Sequence, residues 1–201
     1  MDFIENLAEL ESHYGKPGQA SLVKVARQMT PMYRHWIEKS RLCILSSVGP
    51  EGTDASPRGD DGPVVRELDP GTLALPDWRG NERIDSLRNI VRDGRVSLMF
   101  LVAGSNNVVR INGRARVTAD KVFCDSFSRD GKAPRSVIVI AIDEIYSQCA
   151  RALMRARIWV DGDQPQGLPS VGDMLSEMTG GGIDGAEYDK EWPGRAAQTL
   201  W

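Results

Sequence analysis

Residues 54–117 hold most of the side chains whose types and spacing could do chemistry. Their centre reads as a helix over 82–93, in which Ile84, Leu87, Ile90 and Val91 recur at helical spacing. Asn81 suits its N-cap, and Gly94 suits the left-handed residue beyond its end. Arg83 then falls in the first turn, where unpaired N–H groups and the helix dipole are already positive, so an arginine there asks for an anion. Glu82 and Asp85 are one source of negative charge. A bound phosphate is the other, because helix starts are ready anion sites.

A second basic feature lies at 108–117. Val109, Ile111, Gly113, Ala115 and Val117 point one way from a strand, while Arg110, Asn112, Arg114 and Arg116 point the other. Neighbouring arginines on one strand face repel, so counter-charge is expected. The stripe reads either as a solvated outer face or as an anion site or subunit interface with acidic partners.

Other chemistries find little support. His13 and His35, the only histidines, both precede the strands and read as surface or packing residues. Cys43, Cys124 and Cys149 are widely spaced without a CxxC pair, which suggests neither a disulfide framework nor a zinc site. There is no GxSxG elbow and no glycine-rich dinucleotide fingerprint, so NAD(P)H would be a transient donor rather than a resident cofactor.

The elements that must position these residues can be read from periodicity. Residues 1–39 read as helical: Phe3, Ile4, Leu7 and Leu10 form one stripe, Lys16-Pro17-Gly18 breaks it, and Thr30-Pro31 starts a fresh helix toward Trp36 and Ile37. This segment is expected to pack on the main domain. After Ser40 the period shortens. Strands are expected at 42–48, around 55–58, at 64–68 and at 72–75, with a tight turn at Asp69-Pro70-Gly71. The apolar runs 96–102 and 137–142 read as strands buried on both faces. A helix is expected over 145–156, a loop at 162–169, a further helix behind the capping Ser170, and, after the break at Gly180-Gly181-Gly182, an acidic segment at 184–191 leading to a tail that ends in Trp201. These boundaries give an N-terminal helical segment (1–39), a barrel (40–146) and C-terminal helices with a tail (147–201).

The 201 residues, 41% hydrophobic and 26% charged, fit one globular domain with terminal additions. The formal charge of −3 gives no reason to expect nucleic-acid or anionic-membrane binding. The acidic start MDFIENLAEL is unlike a secretory signal, and no apolar run approaches membrane-spanning length, so a cytoplasmic protein with reduced thiols is expected.

SPRGD at 56–60, LALPDWRGNERIDSLRNI at 73–90, VSLMFLV followed by VVRINGRARV, and QCARALMRARIW at 148–159 together resemble the pyridoxamine 5′-phosphate oxidase-like flavoproteins. The likeness is greatest to a bacterial FMN-binding subgroup without an assigned substrate, and it runs from the N-terminal helices through LPSVGDML. It implies a mainly β, α+β fold with flanking helices: a split β-barrel of the FMN-binding type with six or so antiparallel strands. It also implies a homodimer with flavin sites at the interface. By position, Ser56 and Arg58 would meet the ribityl or phosphate region, Pro76 and Asp77 would line the groove, and Arg83 would hold the phosphate with Asn81 and Ser86 beside it. Arg110 would lie near the second subunit, and Arg155 and Trp159 would approach the ring.

The chain departs from the vitamin-oxidising members, which carry a Tyr, an Arg-Pro pair and a Ser-Gln pair after the barrel strand and an Arg-x-His near the C-terminus. Here 122–132 reads VFCDSFSRDGK, and no histidine follows His35. The resemblance therefore implies an FMN-dependent oxidoreductase with an unknown small substrate, not a true pyridoxamine phosphate oxidase. The alternative is a non-catalytic flavin-binding or storage protein. A deazaflavin remains open as the cofactor, while haem is disfavoured by the scarcity of histidine.

Overall fold

A computed structural model describes residues 1–160 and 167–199. Among them are strands β1 (Leu42–Gly49), β2 (Gly52–Gly59), β3 (Arg66–Asp69), β4 (Thr72–Asp77), β5 (Arg95–Leu101), β6 (Val108–Thr118) and β7 (Ser136–Gln148). They form one antiparallel sheet in the order β2-β1-β5-β6-β7-β4-β3. The helices are α1 (Leu7–Ser12), α2 (Gln19–Val23), α3 (Pro31–Ile37), α4 (Asp85–Arg92), α5 (Lys121–Asp125), α6 (Arg151–Ala156), α7 (Val171–Met178) and α8 (Gly185–Thr199). No helix among the described residues is long and apolar enough to cross a membrane.

The sheet has seven strands and does not close, leaving β2 and β3 as its edges. Its inner face carries the core. Leu45, Leu98, Ile111, Ile140 and Ile145 are fully buried, and their alternation with outward residues sets the register, since a slip of one residue would turn each of them to solvent. Tight turns join neighbours, as in the β3–β4 hairpin, where the Asp69 carboxylate accepts from the Gly71 N–H at 2.8 Å. Between β6 and β7 the register shifts at Asn112/Gly113, which leaves Asp143 as an extra residue on β7. Here β6 needs glycine: a Cβ on Gly113 would stand 2.1 Å from the Ala141 carbonyl oxygen.

Several expectations are corrected. The central helix starts at Asp85, not Glu82, because Glu82 and Ile84 take left-handed backbone (φ 63° and 54°) and Ile84 occupies the cap position. Asn81 instead closes a local turn, its side chain accepting from the Arg83 N–H at 3.2 Å. Of the proposed stripe Ile90 is buried and Leu87 partly so, while Ile84 and Val91 are exposed. The run in β5 is buried on one face only, and β7 alternates after its first residues. The expected helix over 145–156 is shorter, since β7 continues to Gln148 and α6 begins at Arg151.

At the N-terminus only the later part packs on the body. Met29 and Ile37 are buried in the core, Ala26 pairs with Ile145, and the Tyr33 hydroxyl donates to the Lys24 carbonyl at 2.7 Å. The stripe of Phe3, Ile4, Leu7 and Leu10 stays exposed. At the C-terminus α7 begins behind Ser170, the expected cap, which forms a capping box with Asp173, and the acidic segment continues as helix α8 through most of the expected tail. The expected loop at 162–169 lies mostly outside the described residues, as does Trp201.

Candidate functional site

A cleft of about 1040 Å³ opens where the inner face of β2 looks toward the end of β4, the loop after it and the start of α4. Alternation on β2 explains its composition. Thr53, Ala55, Pro57 and Gly59 face out, whereas Asp54, Ser56, Arg58 and Asp60 turn inward and are half-buried. The functional side chains thus project from a paired strand, while the loop at 78–84 supplies the opposite lip.

Arg58 donates to Asp77 at 2.5 Å, which ties β2 to β4 across the cleft. The two side chains are only 19% and 18% exposed. The Arg58 Nε is buried and has no hydrogen-bond partner, a state that ordinarily costs about 1–3 kcal/mol. Asp54 accepts from the Ser86 hydroxyl and so fixes the start of α4 to β2. Asn89 secures the same helix, donating to Ser47 at 3.2 Å and lying over Gly49, where a Cβ would meet it at 2.2 Å. Asp60 is the most enclosed acid, its side chain 2% exposed. It accepts from the Gly62 N–H, from the Trp78 indole at 3.1 Å and from Arg129 at 2.7 Å.

At the mouth, Arg83 is exposed and donates to Asp85 at 2.8 Å. This hydrogen bond and the charge beside it hold the guanidinium pKa above its ordinary value. Arg135 pairs with Glu82 at 3.0 Å. Arg79 has no carboxylate partner among the described residues. The lining contains four guanidiniums, at Arg58, Arg79, Arg83 and Arg135, against six carboxylates, at Asp54, Asp60, Asp61, Asp77, Glu82 and Asp85. No cluster of three or more metal-ligating side chains occurs among the described residues.

Ser56, Arg58, Pro76, Asp77, Asn81, Arg83 and Ser86 all line this cleft. Arg110, Arg155 and Trp159 do not. Arg110 lies on the outer sheet face with its guanidinium 5.5 Å from the centre of the Tyr146 ring, Arg155 is exposed on α6, and the Trp159 indole donates to the Ser105 carbonyl at 2.8 Å. Sequence reasoning passed over Asp54, Trp78, Arg79 and Arg135. Asp54 was findable, since it shares the period-two face of Ser56 and Arg58. A smaller cavity of about 390 Å³, bordered by α3, β3 and Phe127, shares Asp60, Pro76 and Trp78 with the cleft.

An open antiparallel sheet with a polar cleft between β2 and β4 defines a split-barrel protein. Residues 29–149 match the family described as pyridoxamine 5′-phosphate oxidase, and the chain belongs to that family. No curated protein matches the sequence. Among solved structures, the chain is similar to HupZ of Group A Streptococcus, with 18% identity and a TM-score of 0.48 over 59% of this chain and 93% of that one. It is also similar to an FMN-binding protein from Syntrophomonas wolfei, with 15% identity and a TM-score of 0.42 over 59% and 89%. General stress protein 26 from Bacillus anthracis matches with 17% identity and a TM-score of 0.42 over 57% and 88%.

Proposed function

We propose that the protein is an FMN-binding flavoprotein that moves electrons or hydride between a reductant and a small molecule other than pyridoxamine phosphate. The observation that carries this reading is the buried, unpartnered Nε of Arg58 on the wall of a cleft large enough for a cofactor. A ribityl hydroxyl or phosphate oxygen would satisfy that donor without breaking the pair to Asp77. Arg79 and Arg83 lie on the opposite lip, where a phosphate would meet one guanidinium free of carboxylates and another whose partner, Asp85, is itself partly exposed. Ser86 would add a neutral donor if its hydroxyl turned from Asp54 to the ligand. Bound FMN supplies the redox chemistry; the chain's part is to hold and orient it and to limit the access of water.

The acid excess of the lining is unfavourable for a dianionic phosphate by itself. A C2 homodimer would ease this if the Arg110, Arg114 and Arg116 stripe of a second copy faced the cleft, which is how the dimer enters the proposal. NAD(P)H is the natural donor to try, as a transient visitor.

Titration with FMN, followed by quenching of flavin fluorescence, and an absorbance spectrum of the purified protein test the cofactor. Micromolar or tighter binding is expected, with riboflavin weaker. Failure of FMN to bind at 100 times that concentration would remove the reading. Turnover with NAD(P)H and a quinone or dye acceptor then separates an oxidoreductase from a protein that only holds flavin.

A further inference from the structure

The smaller cavity of about 390 Å³ has the size of a small-molecule site. Its floor is apolar: Met29 and Ile37, at the two ends of α3, and Val65, just ahead of β3, are all buried. Pro76 and Trp78 border both this cavity and the larger cleft, and so form the partition between them. The partition is anchored. The Trp78 indole donates to Asp60 at 3.1 Å, and Asp60 is held in turn by Arg129 at 2.7 Å.

The walls carry three guanidiniums, Arg34, Arg66 and Arg129, and three carboxylates, Glu38, Asp60 and Glu67. Two of the guanidiniums are engaged. Arg34 forks onto Glu67 at 2.6 and 2.7 Å, and Arg129 is held by Asp60 and Asp61. Glu38 is exposed, and its charge falls on Arg34. Arg66 has no ion pair among the described residues, yet it is fixed in place. Its guanidinium lies 3.6 Å from the centre of the Phe127 ring and donates to the Ser126 hydroxyl at 3.1 Å and the Ser126 carbonyl at 2.8 Å. The other N–H groups of the fork are unpartnered among the described residues. A guanidinium already held rigid, with donors left over, gives up little side-chain freedom when an anion arrives.

We propose that this cavity binds a small apolar monocarboxylate, with its carboxylate on Arg66 and its body against Met29, Ile37, Val65 and the Trp78 partition. A neutral ligand would leave Arg66 without counter-charge. A phosphate dianion would bring two charges to one unpaired cation, in a cavity whose walls also hold Glu38 and Glu67. A single carboxylate matches these walls, because it can take a charge-assisted pair of hydrogen bonds from the fork while the rest of the ligand is desolvated. In the flavoprotein proposed above, the cavity would hold the small substrate next to the cofactor cleft. That role rests on the flavin reading, whereas the binding itself does not.

Calorimetric titration of the full chain with 2-naphthoate, beside 2-naphthalenemethanol and 2-naphthyl phosphate, tests the assignment. Naphthoate should bind with a Kd of about 1 mM or tighter, and about tenfold or more tighter than either the alcohol or the phosphate ester. Arg66→Met keeps an apolar chain against Phe127; it should weaken naphthoate about tenfold or more and leave the alcohol unchanged. Arg66→Lys retains the charge and should recover part of the loss. Naphthoate that binds no tighter than the alcohol to the wild type would overturn the proposal, whether or not the variants fold. So would equal naphthoate affinity in wild type and Arg66→Met of matching circular dichroism. FMN titration of the same samples keeps the two readings apart. FMN affinity should be the same in Arg66→Met and wild type, and a fall would move Arg66 into the cofactor site and overturn the proposal. A chain that takes naphthoate through Arg66 but not FMN would remove the flavoprotein reading, and the substrate role with it, and leave the carboxylate site standing.

Discussion

Arg58 on β2 and Asp77 on β4 meet at 2.5 Å across the opening of the split sheet, each about four-fifths buried. No backbone ladder joins these two strands, so the pair is a side-chain tie between parts of the sheet that lie far apart in strand order. Removing one partner strands the other in a poorly solvated place. Arg58→Met should cost about 2–3 kcal/mol of stability, and a double-mutant cycle with Asp77→Asn should show a coupling of about 1–3 kcal/mol. Additive single effects in urea denaturation would mean that the tie contributes nothing.

If the cleft holds FMN as proposed, Arg79 and Arg83 on its lip are the side chains that would meet the phosphate. Each substitution by alanine removes a charge-assisted hydrogen bond of about 1.5–3 kcal/mol, so FMN affinity should fall about tenfold or more in either variant. Riboflavin lacks the phosphate and should bind both variants as it binds the wild type. A fluorescence titration with both flavins decides it, and equal FMN affinity in Arg83→Ala and wild type would move the phosphate elsewhere.

The sheet was largely legible in the sequence because its strands alternate, and β6 most clearly, where Arg110 to Arg116 and Val109 to Val117 fall on opposite faces as expected. The start of α4 was not legible. Asn81 followed by a helical stripe looks like a cap, yet the positive φ of Glu82 and Ile84 is imposed by the path of the loop along the cleft, for which β-branched Ile84 carries no local signal. Ser56, Arg58, Pro76 and Asp77 on β2 and β4 line the cleft together because strands fix side-chain direction. Arg155, on α6, and Trp159, beyond its end with its indole donating to the Ser105 carbonyl, lie outside the lining of this cleft, and the sequence carries no signal for where a short helix after β7 lies.

Gly113 sits at the register shift where the Ala141 carbonyl oxygen would come within 2.1 Å of an added Cβ. Backbone cannot swing aside as a side chain can, so Gly113→Ala must open the β6–β7 ladder. A loss of about 3 kcal/mol or more in thermal or urea unfolding is expected. Ala115→Gly, two residues along the same face, should cost less because it leaves the ladder in place.

Burial pushes the Cys43 thiol up to about 12 from an ordinary 9.0, against the weaker pull of nearby Arg58. The folded pKa lies above the unfolded one, so folding favours the neutral thiol. Its contribution is fully present below pH 9 and is lost as pH rises from 9 toward 12. The urea midpoint should therefore fall across that window, and Cys43→Val should flatten the fall. In the native state near pH 8 a thiol reagent should label exposed Cys149 and spare Cys43.

The protein should not oxidise pyridoxamine or pyridoxine phosphate. Residues 122–132, where the vitamin-oxidising members carry substrate-positioning groups, here fold into α5 and a tight turn. Phe123 and Phe127 pack edge to face at 5.3 Å, beside buried Cys124. The segment is spent on packing, and its arginine, Arg129, is engaged by Asp60 and Asp61. A substrate carrying its own phosphate would meet a cleft with more carboxylates than guanidiniums, already asked to hold the phosphate of FMN. Loss of placement can by itself cost several orders of magnitude in rate. The FMN-loaded protein, given pyridoxamine 5′-phosphate and oxygen, is therefore expected to form pyridoxal 5′-phosphate far below typical enzyme rates. Turnover of about 1 per second or faster would show that other residues of the cleft position the vitamin after all.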